Sequence, residues 1–279
     1  MASNGKHLKK IIILICSIFV LCFIALIAYS GYQLWRLNIR YADEAQVHRL
    51  LLPYKPLDAG HLNGESTSGT APGKGPSTGY GQDAGYGPDA GYRSDVLAEN
   101  QSILELQAQY PDSVGWLTIL NTKIDYPFVQ YEDNDYYLYR DISGTYAAAG
   151  TIFMDYRCTN DFTSQNTILY GHHMKNKSVF GSLDAFNDSR FFDENRTGVI
   201  YLANETLSLE FFASMVVEPS DYRIYGLMVD DDYFSHIKQN ARCYREIGLT
   251  ASDRIVTLST CSYEFHDARM VLLARVSSL

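Results

Sequence analysis

Arg254-Ile-Val-Thr-Leu-Ser-Thr-Cys261 and, eight residues past the cysteine, Arg269-Met-Val-Leu-Leu-Ala-Arg-Val276 decide the fold. Both are strand-length runs of β-branched and aliphatic residues, and the polar stretch Ser262 to Asp267 divides them. That is the pattern of an antiparallel strand pair. Folding the second strand back on the first brings Arg269 beside Cys261. A lone cysteine belongs among the most buried residue types. This one ends a strand, follows the polar pair Ser259-Thr260 and precedes a polar loop, so its thiol is placed for partial exposure.

About ninety residues upstream, Asn166-Thr-Ile-Leu-Tyr170 is another short strand, and it runs into Gly171-His172-His173. Adjacent side chains at a strand end point to opposite faces, so the two histidines do not chelate one metal. Gly171 lets the backbone turn and pack closely, which favours His172 as the histidine that faces a site, with His173 as the alternative. Taken singly, these residues have plain explanations: a core cysteine, two solvated loop histidines and a strand-edge arginine. Taken together, a thiol, an imidazole and a guanidinium, each next to a strand, are the parts of a cysteine acyl-transfer site. The thiolate attacks a carbonyl, the imidazole shuttles the proton, and the guanidinium stabilises the anion that forms.

Working outward, further strand signals fall at Trp116–Leu120, Ile124–Val129, Thr151–Met154, Val199–Leu202 and Leu207–Val217. Pro127 marks the second of these as an edge or a bend. A helix is expected over Val96–Tyr110, stopped by Pro111, and helical interruptions at Val179–Phe186 and Asp231–Cys243. About eight strands with few helices predict a mostly antiparallel, closed or half-closed barrel.

The formal charge of −9 excludes general nucleic-acid binding, which needs a basic face. Of the five cysteines, Cys16 and Cys22 lie in the apolar N-terminal run. The other three, Cys158, Cys243 and Cys261, are an odd number, so at least one thiol stays free. Sequence does not decide whether Cys158 and Cys243 pair.

Residues 11–35 carry no charge, and Lys6, Lys9 and Lys10 precede them. The run is long enough to cross a bilayer, with the N-terminus cytoplasmic and the rest of the chain outside. A cleaved signal peptide is the alternative, since Ala28-Tyr29-Ser30 resembles a cleavage site. Residues 57–95 are rich in Gly, Ser, Pro, Asp and Tyr, and a hexad nearly repeats at Gly79-Tyr-Gly-Gln-Asp-Ala84 and Gly85-Tyr-Gly-Pro-Asp-Ala90. Such a stretch buries too little apolar surface to offset its ordering entropy, and it reads as a flexible tether. The organisation is therefore a cytoplasmic N-terminus (1–10), a transmembrane anchor (11–35), a juxtamembrane segment and linker (36–95) and one catalytic domain (96–279).

Thr257-Leu-Ser-Thr-Cys261 followed by Arg269 resembles the sortase TLxTC…R signature. Tyr170-Gly-His-His-Met-Lys175 with Val179-Phe180 is similar to the histidine motif of class B sortases. Gly115-Trp-Leu-Thr-Ile119, Ile124-Asp-Tyr-Pro127, Asp133-Asn-Asp-Tyr-Tyr-Leu138 and Ile152-Phe-Met-Asp155 resemble further class B motifs, in the family's order across residues 96–279. The resemblance implies an eight-stranded sortase β-barrel with an N-terminal helix and an extra helix, Asp231–Cys243, before the cysteine strand. It implies Cys261 as nucleophile, His172 as general acid/base and Arg269 as oxyanion and substrate clamp. Asn134, Leu138, Ser259 and Thr260 fall where class B enzymes line the sorting-signal groove. One departure is that Ser262-Tyr263 follow the cysteine where some class B enzymes carry an acidic residue; Glu264 and Asp267 are near but not at that place. No Cys-His-Asp triad is therefore expected.

The implied activity is that of a membrane-anchored cysteine transpeptidase on a Gram-positive-type cell. It would cut a C-terminal sorting signal between Thr and Gly and pass the acyl group to a peptidoglycan amine. This chemistry needs no metal or organic cofactor. Its partners would be surface proteins bearing sorting signals, the peptidoglycan precursor and the membrane, with no nucleic acid. A pilin polymerase with a lysine acceptor, a secreted cysteine protease and a non-enzymatic surface protein are the alternatives.

Overall fold

The computed structural model describes residues 2–56, 100–261 and 268–279. Along the chain come α1 (Ala2–Leu51), α2 (Gln101–Gln109), β1 (Ser113–Thr118), β2 (Asp125–Gln130), β3 (Ile152–Met154) and β4 (Asn166–Tyr170). They are followed by α3 (Ser189–Glu194), β5 (Thr197–Leu202), β6 (Thr206–Val217), α4 (Asp231–Asn240), β7 (Cys243–Tyr244), β8 (Arg254–Cys261) and β9 (Arg269–Ser278). Strands pair in the order β5-β1-β2-β3-β4-β8-β9-β6, and β6 pairs back onto β5. This closes an eight-stranded barrel, with β7 an extra two-residue strand on the far half of β6. Pairings are antiparallel except β2–β3 and β4–β8, which are parallel.

Period-2 alternation sorts the side chains. On β8, Val256 and Leu258 join the barrel interior with Leu117, Phe128, Leu169, Leu209 and Leu272. Ile255 points the other way, into a second apolar layer with Tyr233 and Ile237 of α4. A third layer caps the opposite wall, where Ile103 and Leu106 of α2 and Leu51 of α1 cover Trp116, Val129 and Tyr201. Full burial of one such leucine is worth about 1.5–3 kcal/mol.

α1 does two things. It contains the only stretch among the described residues long and apolar enough to cross a membrane, Ile18–Arg36, which fits a single anchor. Its last turns then dock on the barrel, where His48 packs on Tyr126 at 4.6 Å between ring centres. Just beyond, Lys55 holds Asp125 at 2.6 Å. Asn100, where description resumes, donates its N–H to the Ala203 carbonyl at 2.8 Å. Residues 57–99, which include all of the expected tether (57–95) and the first residues of the expected helix Val96–Tyr110, lie outside the described residues.

Four expectations are adjusted. The helix assigned to Asp231–Cys243 ends at Asn240, because Ala241 is extended and Cys243-Tyr244 pairs with Ser214 and Ala213 of β6. The interruption at Val179–Phe186 is a 3₁₀ helix, Gly181–Asn187. α3 was not anticipated; its signal is Asp188, whose side chain accepts the Phe191 N–H at 2.9 Å as an N-cap. Pro127 is not on an edge strand: β2 is paired on both sides, but the β3 ladder begins one residue later, at Phe128, so proline's missing N–H is tolerated locally. Cys158 and Cys243 do not pair; both are buried free thiols.

Candidate active site

The site follows from strand register. β4 runs parallel to β8 with Tyr170 opposite Ser259, and the Gly171 N–H extends the pairing by donating to the Ser259 carbonyl at 3.1 Å. Two residues beyond Tyr170, past the end of β4, comes His172, and two beyond Ser259 comes Cys261, the last residue of β8. On the other side, Cys261 pairs directly with Arg269 of β9. Neighbouring strands lie about 4.8 Å apart. Cysteine and arginine thus face each other across β8 and β9, and the histidine follows the end of β4 on the other side of β8. Alternation puts position 261 on the face of Ser259, outside the barrel core. Cys261 is described by its backbone, and Ser262 to Asp267, including Glu264, lie outside the described residues.

Gly171 is required sterically: a Cβ there would come within 2.8 Å of the Phe180 ring. The loop after it folds back, so that the Phe180 N–H reaches the His172 carbonyl at 3.1 Å and His173 bridges Val179. This separates the two histidines. His173 is buried with its Nε2 2.5 Å from the Asp184 carboxylate, away from the cleft. His172 lines the cleft, its Nε2 2.7 Å from the Leu138 carbonyl and its ring 5.1 Å from that of Tyr139. A carbonyl only accepts, so Nε2 carries the proton and Nδ1 keeps a free lone pair. Burial pulls the His172 pKa below 6.5 and the Arg269 cation adds to this, against the Leu138 hydrogen bond. The imidazole is neutral at pH 7, the form a base needs.

Asn134, Leu138, Ser259, Thr260 and Arg269 all line the same cleft as His172. Asn134 donates to the Asp155 carboxylate at 3.2 Å and accepts the Tyr156 N–H at 3.1 Å. Ser259 Oγ is 2.9 Å from Tyr225 Oη. Thr260 Oγ1 is buried and makes no hydrogen bond among the described residues.

Three participants escaped sequence reading. The Leu138 carbonyl orients His172 as a main-chain atom, which no residue type signals. Tyr225 comes from the loop between β6 and α4, remote in sequence. Asp155 ends a quoted motif but carried no assigned role. It is fully buried, pairs bidentately with Arg157 at 2.7 and 2.8 Å, and accepts from Tyr170 Oη at 3.0 Å. Burial would raise its pKa, but these bonds hold it below the ordinary carboxylate value.

A sortase-domain family model matches residues 117–277. The sortase B of Listeria monocytogenes is 38% identical over 178 residues, covering 62% of this chain and 72% of the relative. The crystal structure of Bacillus anthracis sortase B is similar with a TM-score of 0.56 at 36% identity, covering 64% of this chain and 85% of that one. That of a Streptococcus pyogenes class B sortase involved in pilus biogenesis has a TM-score of 0.59 at 31% identity, covering 62% and 96%. The chain belongs to the sortase family, in its class B. It is a cysteine transpeptidase of that kind, from a family that attaches surface proteins bearing sorting signals to a cell-wall amine.

Proposed function

We propose that this enzyme, held in the cell membrane with its N-terminus cytoplasmic and residues 96–279 outside as the catalytic domain, cuts a sorting signal between Thr and Gly. It then joins the new C-terminus to a peptidoglycan precursor amine. The observation that supports this most is the pairing of Cys261 with Arg269 on β8 and β9, with Arg269 and His172 lining one cleft. His172 Nδ1 takes the Cys261 thiol proton as sulfur attacks the Thr carbonyl. The oxyanion meets Arg269. On collapse the Thr–Gly C–N bond breaks, the Gly amine leaves with the proton from His172, and a thioester remains. The acceptor amine attacks that thioester and gives its proton to His172, the amide forms, and the Cys261 thiolate departs. Asn134, Leu138, Ser259 and Thr260 line the sorting-signal groove in this scheme. Incubation with a sorting peptide should give slow hydrolysis alone and a new amide when an amine is added. Hydrolysis unaffected by any amine would make the chain a protease.

A second reading is a pilin polymerase, which differs only in taking a lysine side chain as acceptor. The likeness to the Streptococcus pyogenes pilus enzyme, and to a sortase B from the type II pilus of Streptococcus pneumoniae at 36% identity, favours including it. Competing a lysine-bearing pilin peptide against a peptidoglycan stem peptide separates the two.

Two results should follow from the site's electrostatics. Arg269→Lys should be almost as damaging as Arg269→Ala, about 10²–10³ in kcat, with thermal melting near wild type. A guanidinium fork can meet the oxyanion and a peptide carbonyl together, whereas a lysine is a mobile point charge. Recovery of most activity by lysine would reduce Arg269 to a charge on the thiolate. The second concerns pH. Because the His172 pKa is lowered, the acid limb of kcat/KM should fall below pH 6.5. The Arg269→Ala enzyme, lacking one cause of the lowering, should show that limb displaced upward. A wild-type limb above pH 6.5 would contradict the assignment.

A further inference from the structure

Arg157 lines the cleft while its Nε and one terminal nitrogen, Nη2, are committed to the buried Asp155 carboxylate. Nη2 also reaches the Tyr225 carbonyl at 3.1 Å, and Tyr225 Oη in turn meets Ser259. The Arg157 guanidinium is therefore fixed on one edge, with 40% of the side chain exposed. Its other terminal nitrogen, Nη1, makes no hydrogen bond among the described residues. Ser259 lies two residues down β8 from Cys261, about 7 Å at strand rise. Asp155 neutralises the Arg157 charge, so the exposed edge suits a neutral acceptor better than a carboxylate.

We propose that Arg157 is a specificity-determining residue: its Nη1 edge donates to a neutral carbonyl oxygen of the bound sorting peptide, and Asp155 with Tyr170 holds that edge in place. This rests on the transpeptidase reading above. It calls for a residue that binds peptide without touching the reacting atoms.

The test measures kcat and KM for a fluorogenic sorting peptide, and separately the rate at which iodoacetamide alkylates Cys261. Arg157→Ala strands a buried carboxylate and can lose the fold, so Arg157→Lys and the double variant Asp155→Asn/Arg157→Met are run beside it, with melting curves. Losing one charged-group hydrogen bond predicts a KM raised about 10–100-fold in each folded variant. The alkylation rate should stay as in wild type. Arg157→Lys keeps a cation for Asp155 but has no second donor edge, so it should resemble the double variant. A folded variant with wild-type KM overturns the inference, as does a fall in kcat with KM unchanged. A wild-type enzyme that is alkylated at Cys261 yet cleaves no sorting peptide overturns the transpeptidase reading, and this inference with it.

Discussion

Cys261→Ala should abolish both peptide cleavage and covalent trapping. Loss of a nucleophile that works as a unit with its base costs on the order of 10⁶ in turnover. A thiol-reactive analogue of the sorting peptide should add one equivalent to the wild-type protein, at Cys261, and none to the variant. The two buried thiols, Cys158 and Cys243, serve as internal controls. Cys158 is buried, its pKa is raised by that burial, and its Sγ lies 3.6 Å from the Asn166 carbonyl. Cys243 is buried as well, 3.7 Å from the Asn187 carbonyl. A thiolate is the reactive species, which burial disfavours at Cys158, and burial shields both sulfurs from a peptide-sized reagent. Mass spectrometry of the trapped protein decides the matter: modification at Cys243 with Cys261 spared would displace the nucleophile assignment.

The second large effect separates neighbours. His172→Ala should cost about 10²–10⁴ in kcat, the usual contribution of a positioned proton carrier. His173→Ala should leave the chemistry nearly intact and lower the melting temperature instead. Its imidazole is buried against Asp184, a carboxylate that Lys177 also approaches at 3.3 Å. Removing the ring therefore weakens the loop that folds back on His172. Parallel steady-state kinetics and melting curves on the two variants give the answer, and equal kinetic losses would reverse the roles.

Much of this was legible because strand chemistry is local. The apolar runs around Cys261, Tyr170 and Arg269 state their own periodicity, so the strands were found within a residue or two. Where Asp231–Cys243 extends too far, the competing force is tertiary: Cys243, with Tyr244 beyond it, is drawn into pairing with β6. The 3₁₀ helix Gly181–Asn187 and the short α3 carry too few turns for an amphipathic period to show. The site divides in the same way. Residues whose side chains line the cleft near the motifs, His172 and Arg269 among them, are legible in the sequence. The Leu138 carbonyl and the Asp155, Arg157 and Tyr225 network depend on contacts across up to 68 residues of chain, which no local pattern encodes.

α1 leaves its apolar span at Arg36 and is on the barrel by Val47, an advance of about 16 Å at helical rise. Because Lys55 and Asn100 are each bonded to that same barrel, the glycine- and tyrosine-rich stretch between them starts and finishes on one body. Where the apolar span sits in a membrane, the distance from it to the barrel is counted in helical turns of α1. Four residues inserted into α1 between Arg36 and Val47 raise the cleft by about 6 Å and swing it by about 40° around the helix axis. The same four residues added among the repeats do neither.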